Sequence, residues 1–264
     1  MRSLLTARLK IPSAILSAML LLASSSSWPA FTLSPALSAN DEVEYFIKYF
    51  SDKSQVVSKE VYGQLEFSGI TDTRLFDIVE QRFIEESKAK SAAAIDHLAW
   101  LSKALAYSGQ SKYLDTLKTA LKSTNNVKLK KYLEESIERS PLFSVWNVDI
   151  SRDTANLRGE DLYRKRVLNM LRSSDSFLVM FGAKRVWFHH PTDSEFVRVA
   201  SERLMETYNR PNPTVRDVDA IGWLCNVLGK ASNPEYKPLL EKIIKESKNS
   251  RIVHYAKMNL HKIK

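Results

Sequence analysis

Three groups of side chains in this chain are of types that do chemistry. His189 and His190 are adjacent and lie shortly before Asp193, a grouping that holds a metal ion when a further ligand arrives. Asp217 and Asp219 are paired carboxylates of the kind used in acid–base catalysis. Cys225 is the lone cysteine, and a thiolate is a strong nucleophile. Each has a plainer reading. No Cys-x-x-Cys, no His-x3-His and no second histidine cluster is present to complete a tetrahedral site, and Asp193 reads as a helix cap. Asp217 and Asp219 fall at a helix start, where acids favour the exposed N–H groups and the dipole. Cys225 sits in an apolar helical stretch and reads as a small buried hydrophobe. Neither a G-x-S-x-G elbow nor a Gly-rich phosphate loop occurs. The sequence assigns no catalytic residue, no metal ligand and no cofactor. His97, His254 and His261 read as surface or edge positions.

Aromatic and basic residues give a second set of candidates. Trp100 and Trp223 are of the type that stacks on sugars or cages cations, but each lies in the apolar stripe of a helix and is expected to pack between repeats. Arg158, Lys165 and Arg172 recur every seven residues with Arg164 and Arg166 beside them, and Lys184-Arg185, Arg198 and Arg203 follow. Arg158, Arg164, Lys165, Arg172, Lys184, Arg185 and Arg198 form the candidate partner surface. On one side of a helical array they would face an acidic protein, an anionic lipid or polysaccharide, or nucleic acid; the alternative is a solvated Lys/Arg face.

The elements that must position these residues are helices. The chain has 264 residues, 44% of them hydrophobic, with only seven Gly and nine Pro, too few for an all-β protein with its frequent turns. Residues 1–39 contain no acid, three early cations (Arg2, Arg8, Lys10) and an apolar run from Ile11 to Ala23, the pattern of a secretory signal with cleavage expected between about residues 23 and 39. A periplasmic or secreted location follows as an expectation. The charge is uneven: residues 41–139 hold 15 Lys and Arg against 16 acids, whereas residues 140–264 hold 21 against 14, a net of +7.

Sliding the chain on itself aligns residues 95–139 with 218–262 at an offset of 123 without a gap. Identical pairs include Asp96/Asp219, Trp100/Trp223, Leu101/Leu224, Leu105/Leu228, Tyr113/Tyr236, Leu117/Leu240, Lys122/Lys245 and Tyr132/Tyr255, with apolar exchanges between them in helical phase. Upstream, with a two-residue slip, Thr71-Asp72 and Thr192-Asp193 both open amphipathic runs, and Glu195 three after Thr192 has capping-box spacing. Asn233-Pro234 is a further cap. The periodicity predicts helices near 54–67, 72–87, 93–107, 111–123 and 126–138, then near 160–171, 176–189, 194–208, 217–230, 234–247 and 250–262. Four segments result: the leader at 1–39, N-terminal repeats at 40–139, a linker at 140–159, and C-terminal repeats at 160–264. Residues 140–159 read as lacking helical phase, with Phe143 and Trp146 expected to pack over the junction.

Asp193, Val197-Arg198 and Leu204 resemble the second-helix signature of HEAT-type repeats, and blocks 71–139 and 192–262 are similar to HEAT-like pairs of exported bacterial proteins. The small residue expected three after the Arg is Ser201, with Ala200 one earlier, and the first half has Phe76-Asp77 in place of Val197-Arg198. Short links favour antiparallel hairpins, so the expected fold is an all-α solenoid of HEAT-like hairpins in two duplicated halves, with a compact bundle as the rival. The resemblance implies a non-catalytic scaffold that binds a protein or an acidic cell-envelope partner. The alternative is a HEAT-like nucleic-acid binder or DNA-repair-type enzyme using the basic half, which export disfavours.

Overall fold

A computed structural model describes residues 37–264 except 55, 89 and 90. The expected leader therefore lies outside the described residues but for its last three. Among the described residues the fold is all-α, twelve α-helices packed against one another. The first six are α1 (Ala39–Ser51), α2 (Lys59–Glu66), α3 (Thr73–Glu86), α4 (Ala92–Tyr107), α5 (Leu114–Ser123) and α6 (Val127–Ser151). The others are α7 (Gly159–Arg172), α8 (Ser176–His189), α9 (Ser194–Thr207), α10 (Val215–Ala231), α11 (Lys237–Glu246) and α12 (Ser250–Leu260). No helix among the described residues is long and apolar enough to cross a membrane.

Capping side chains set the helix starts. Asp72, Ser91, Asn126, Asp175, Asp193, Thr214 and Asn249 each accept hydrogen bonds from backbone N–H groups of the helix they precede, satisfying donors that have no partner within the helix. At α9 the cap is Asp193 alone; the box expected from Thr192 and Glu195 does not form, because the Glu195 carboxylate is drawn to Arg164 instead.

Five packing pairs recur, although α7 also packs closely on α8 with no comparable packing of α1 on α2. In the first six helices α1 packs on α3, α2 and α3 on α4, and α4 and α5 on α6; in the last six α7 packs on α9, α8 and α9 on α10, and α10 and α11 on α12. α10, α11 and α12 each begin 123 residues after α4, α5 and α6, and α9 begins 121 after α3. Two apolar cores result. One holds Phe46, Phe76, Leu98, Phe143 and Trp146, the other Phe196, Leu224, Leu228, Leu240 and Ile252. They meet at α7 and α8: Met170 and Leu178 belong to the first, Leu171 and Val179 to the second. Gly182 allows this approach, since a Cβ there would stand 3.0 Å from Met170 Cβ and 3.1 Å from Leu171 N.

Two expectations are corrected. α1 was not predicted, although Val43, Phe46 and Phe50 fall on one helical face and are buried. Residues 140–151 of the expected linker continue α6, with Pro141 inside the helix. The phase is carried by Phe143, Trp146 and Ile150, all buried, and Asn147 Nδ2 donates to Tyr107 O (2.8 Å) and Ser108 O (3.2 Å) at the end of α4. These contacts offset the one backbone bond that Pro141 cannot donate. Trp146 also stacks on Phe177 of α8, ring centroids 5.7 Å apart and planes 9° apart, so Phe143 and Trp146 pack within the first core, which extends onto α8.

Candidate functional site

The chemistry-bearing groups are mostly spent on structure. Asp193 accepts from the backbone N–H groups of Glu195 and Phe196 at 3.1 Å and from both terminal nitrogens of Arg164. The Arg164 guanidinium beside it holds the Asp193 carboxyl below the usual carboxylate range. His190 packs edge-on against Phe196, and His189, half-buried, is held toward its neutral form by burial and by the charges of His190 and Arg185. Among the described residues no three His, Cys, Asp or Glu side chains are grouped as a metal site. Asp217 closes a capping box with Thr214 and accepts from Ser176 Oγ, and Asp219 pairs with Arg251 at 2.8 Å. Cys225 is fully buried, and burial pushes its thiol up to about 12. His97 is not at the surface: it is buried, with Nδ1 2.5 Å from Glu86 Oε2.

The seven candidate cations do not share one environment. Arg158 is exposed, 3.7 Å from Asp41, and Arg164 binds Asp193 and Glu195 while lying over the Phe196 ring. Lys165 is 3.5 Å from Asp153, and Arg198 pairs with Glu202 one turn along α9. Arg185 is buried with its guanidinium 4.5 Å from the Phe67 ring centroid, so it offers no charge to a surface partner. Heptad spacing could not foresee this, because α8 is enclosed on several sides by α7, α9 and α10. Arg172 is exposed and Lys184 half-buried, neither with an ion pair among the described residues.

Lys184 is where charge and aromatic surface converge. Its ammonium lies 5.1 Å from the Trp223 ring centroid and 5.4 Å from that of Phe181. Trp223 is half-buried and meets Trp187 edge-on at 5.9 Å; Phe188, 44% exposed, extends the same aromatic surface, and Lys230 lies 5.4 Å from Trp187. Both Trp100 and Trp223 thus pack against a core on one side, as expected, but neither is buried within it. In the first six helices Lys103 lies 4.6 Å from both Trp100 and Tyr132, while Tyr62 of α2 stacks on Trp100 at 5.4 Å. Burial pushes both the Lys103 and the Lys184 ammonium below the ordinary lysine value. A cation over an indole face is worth about 0.5–2 kcal/mol, more where water is excluded. The sequence reading missed Lys103, although a Lys one turn after a stripe Trp was a usable signal.

Two further devices repeat. Lys128 pairs with Asp96 and Arg251 with Asp219, linking α6 to α4 and α12 to α10. Arg82 Nη1 donates to Phe50 O (3.3 Å) and Asp52 O (3.2 Å) at the end of α1; Arg203 Nη2 donates to Ser173 O (2.5 Å) at the end of α7. A guanidinium there satisfies carbonyls the helix leaves open and complements its negative end. No protein-family model, curated protein or solved structure matched the chain in comparisons with known proteins.

Proposed function

We propose that this chain is a non-catalytic, exported scaffold of two duplicated HEAT-like halves stacked as a solenoid, and that it binds an acidic protein or cell-envelope partner through its tryptophan–lysine pairs. The duplication is supported by the recurring packing partners, the common 123-residue spacing of helix starts, and the two repeated acid–base pairs and arginine clamps. Asn126 and Asn249 add an identical cap at that spacing. On this reading α1–α6 form one half and α7–α12 the other, with the boundary at residues 152–158 instead of across 140–159. Signal cleavage that leaves Leu37 in place keeps the bond from Gly159 N to Leu37 O (2.9 Å) and the Ser38 cap of α1.

The observation that carries the binding reading is the pairing of Lys103 with Trp100 and of Lys184 with Trp223. Each ammonium is partly stripped of water, which strengthens its attraction for an incoming anion, and each lies against an aromatic plane. The lysines reach their tryptophans from different helices, Lys103 from α4 itself and Lys184 from α8, so duplication alone does not produce the match.

Titrating the purified chain with poly-glutamate, polygalacturonate and duplex DNA, followed by tryptophan fluorescence, tests this. Saturable binding of an acidic peptide or glycan polymer, weakened by Lys103→Gln with Lys184→Gln, is the expected result. Binding confined to DNA, with a steep salt dependence, would replace the reading by the nucleic-acid alternative. No binding to any polymer would end it.

A further inference from the structure

A cleft of about 890 Å³ opens in the first six helices, running along α5 between the last turn of α3 and the first turns of α4 and α6. Its apolar lining includes Phe83, Leu98 and Leu129, and its hydroxyl lining includes Ser87, Thr116 and Ser123. Among the described residues Asp115 is the one charged residue of the lining.

The corresponding helices α9 to α12 treat this place differently. Counting 121 residues on from the end of α3, and 123 from α5, Tyr208 stands for Ser87 and Glu246 for Ser123. Leu239 and Ile243 likewise stand for Thr116 and Ala120. Tyr208 is only 7% exposed, its ring lies in the second apolar core, and its hydroxyl donates to Glu246 Oε2 at 2.5 Å. One packing set therefore supplies a tyrosine of its own, which ties α9 to α11. The other has smaller side chains at all four positions and an open space over an apolar floor.

We infer that the first-half cleft receives a tyrosine side chain presented by a partner protein, in the manner in which Tyr208 fills the second half. The inference rests on the duplicated-halves reading and is independent of the acidic-partner reading. The apolar floor takes the ring, as aromatic side chains bury large area when they enter such a site. Hydroxyl and carboxylate groups on the rim accept the phenol proton, the role Glu246 plays for Tyr208. With no cation among the described lining residues and an acid beside it, the cleft disfavours a phosphorylated tyrosine. Its volume exceeds that of one ring and leaves room for the segment that carries it.

The probe is N-acetyl-tyrosinamide, titrated into the full chain and followed by NMR. Saturable binding is expected, with the phosphorylated probe at least about tenfold weaker. Two variants rebuild the second-half filling: Ser87→Tyr with Ser123→Glu, and Thr116→Leu with Ala120→Ile. Each is expected to fold with an unchanged helical spectrum and to bind the probe at least about tenfold more weakly. Absence of saturable binding to the native chain, equal affinity in a folded variant, or failure of both variants to fold would each overturn the inference. If only one variant folds, it decides. Because the probe is uncharged, its failure leaves the binding of acidic polymers untouched, and the converse holds.

Discussion

The ammonium of Lys184 lies 5.1 Å from the Trp223 ring centroid, and that of Lys103 lies 4.6 Å from the ring centroid of Trp100, the residue 123 positions earlier. Burial is the first cause of the lowered basicity of both lysines. Their charge should therefore be lost as pH rises toward, and not beyond, the ordinary lysine value of about 10.4. Affinity for an acidic polymer is expected to fall as pH rises over a range below that in which exposed lysines titrate. A flat affinity over that range would contradict the role given to these two groups.

Glu42 on α1 and Arg166 on α7 form an ion pair at 2.7 Å that is almost fully buried. Burial, opposed by the Arg166 charge, pushes the Glu42 carboxyl above the usual range. Replacing one partner, as in Glu42→Leu, should cost about 3–5 kcal/mol in denaturant unfolding, because the other charge is left buried and alone. Glu42→Leu combined with Arg166→Met should lie far closer to the native stability. Equal losses in the single and double variants would refute this.

Arg82→Lys should destabilise the protein nearly as much as Arg82→Ala, by about 1.5–3 kcal/mol. The compact ammonium lacks the planar fork that reaches Phe50 O and Asp52 O while bonding Glu86 through Nε. Thermal melts of the two variants check it; full rescue by lysine would show that charge alone suffices.

Asp193→Asn removes the charge that anchors Arg164 while keeping a capping oxygen, at a cost of about 1–2 kcal/mol near neutral pH. The folded Asp193 carboxyl titrates below its unfolded value, so its contribution is complete above about pH 4 and fades as pH falls through the lower folded value. Melting curves of native and Asp193→Asn chains should converge on acidification. A gap that persists at low pH would mean the substitution acts through packing.

Much of the architecture is local and was legible in the sequence. Apolar phase places the helices, and short polar side chains such as Asp72, Asp193 and Asn233 fix their starts through bonds spanning two or three residues. A 123-residue offset is visible in one dimension because helices at that spacing keep apolar residues at the same positions. α1 and the second part of α6 were missed for different reasons. The first lies just past the expected leader and ahead of the first helix the periodicity places, and in the second Pro141 outweighed the phase of Phe143, Trp146 and Ile150, a loss that burial offsets.

The candidate sites depended on contacts between helices far apart in sequence. Whether Lys184 rests on Trp223, whether Arg185 is enclosed or exposed, which carbonyl Arg203 reaches, and that Tyr208 closes one cleft while Ser87 leaves another open are set by how helices lie across one another. Periodicity gives the direction a side chain leaves its helix. Only the packed neighbour decides whether that direction ends in water, on a ring or on a carbonyl.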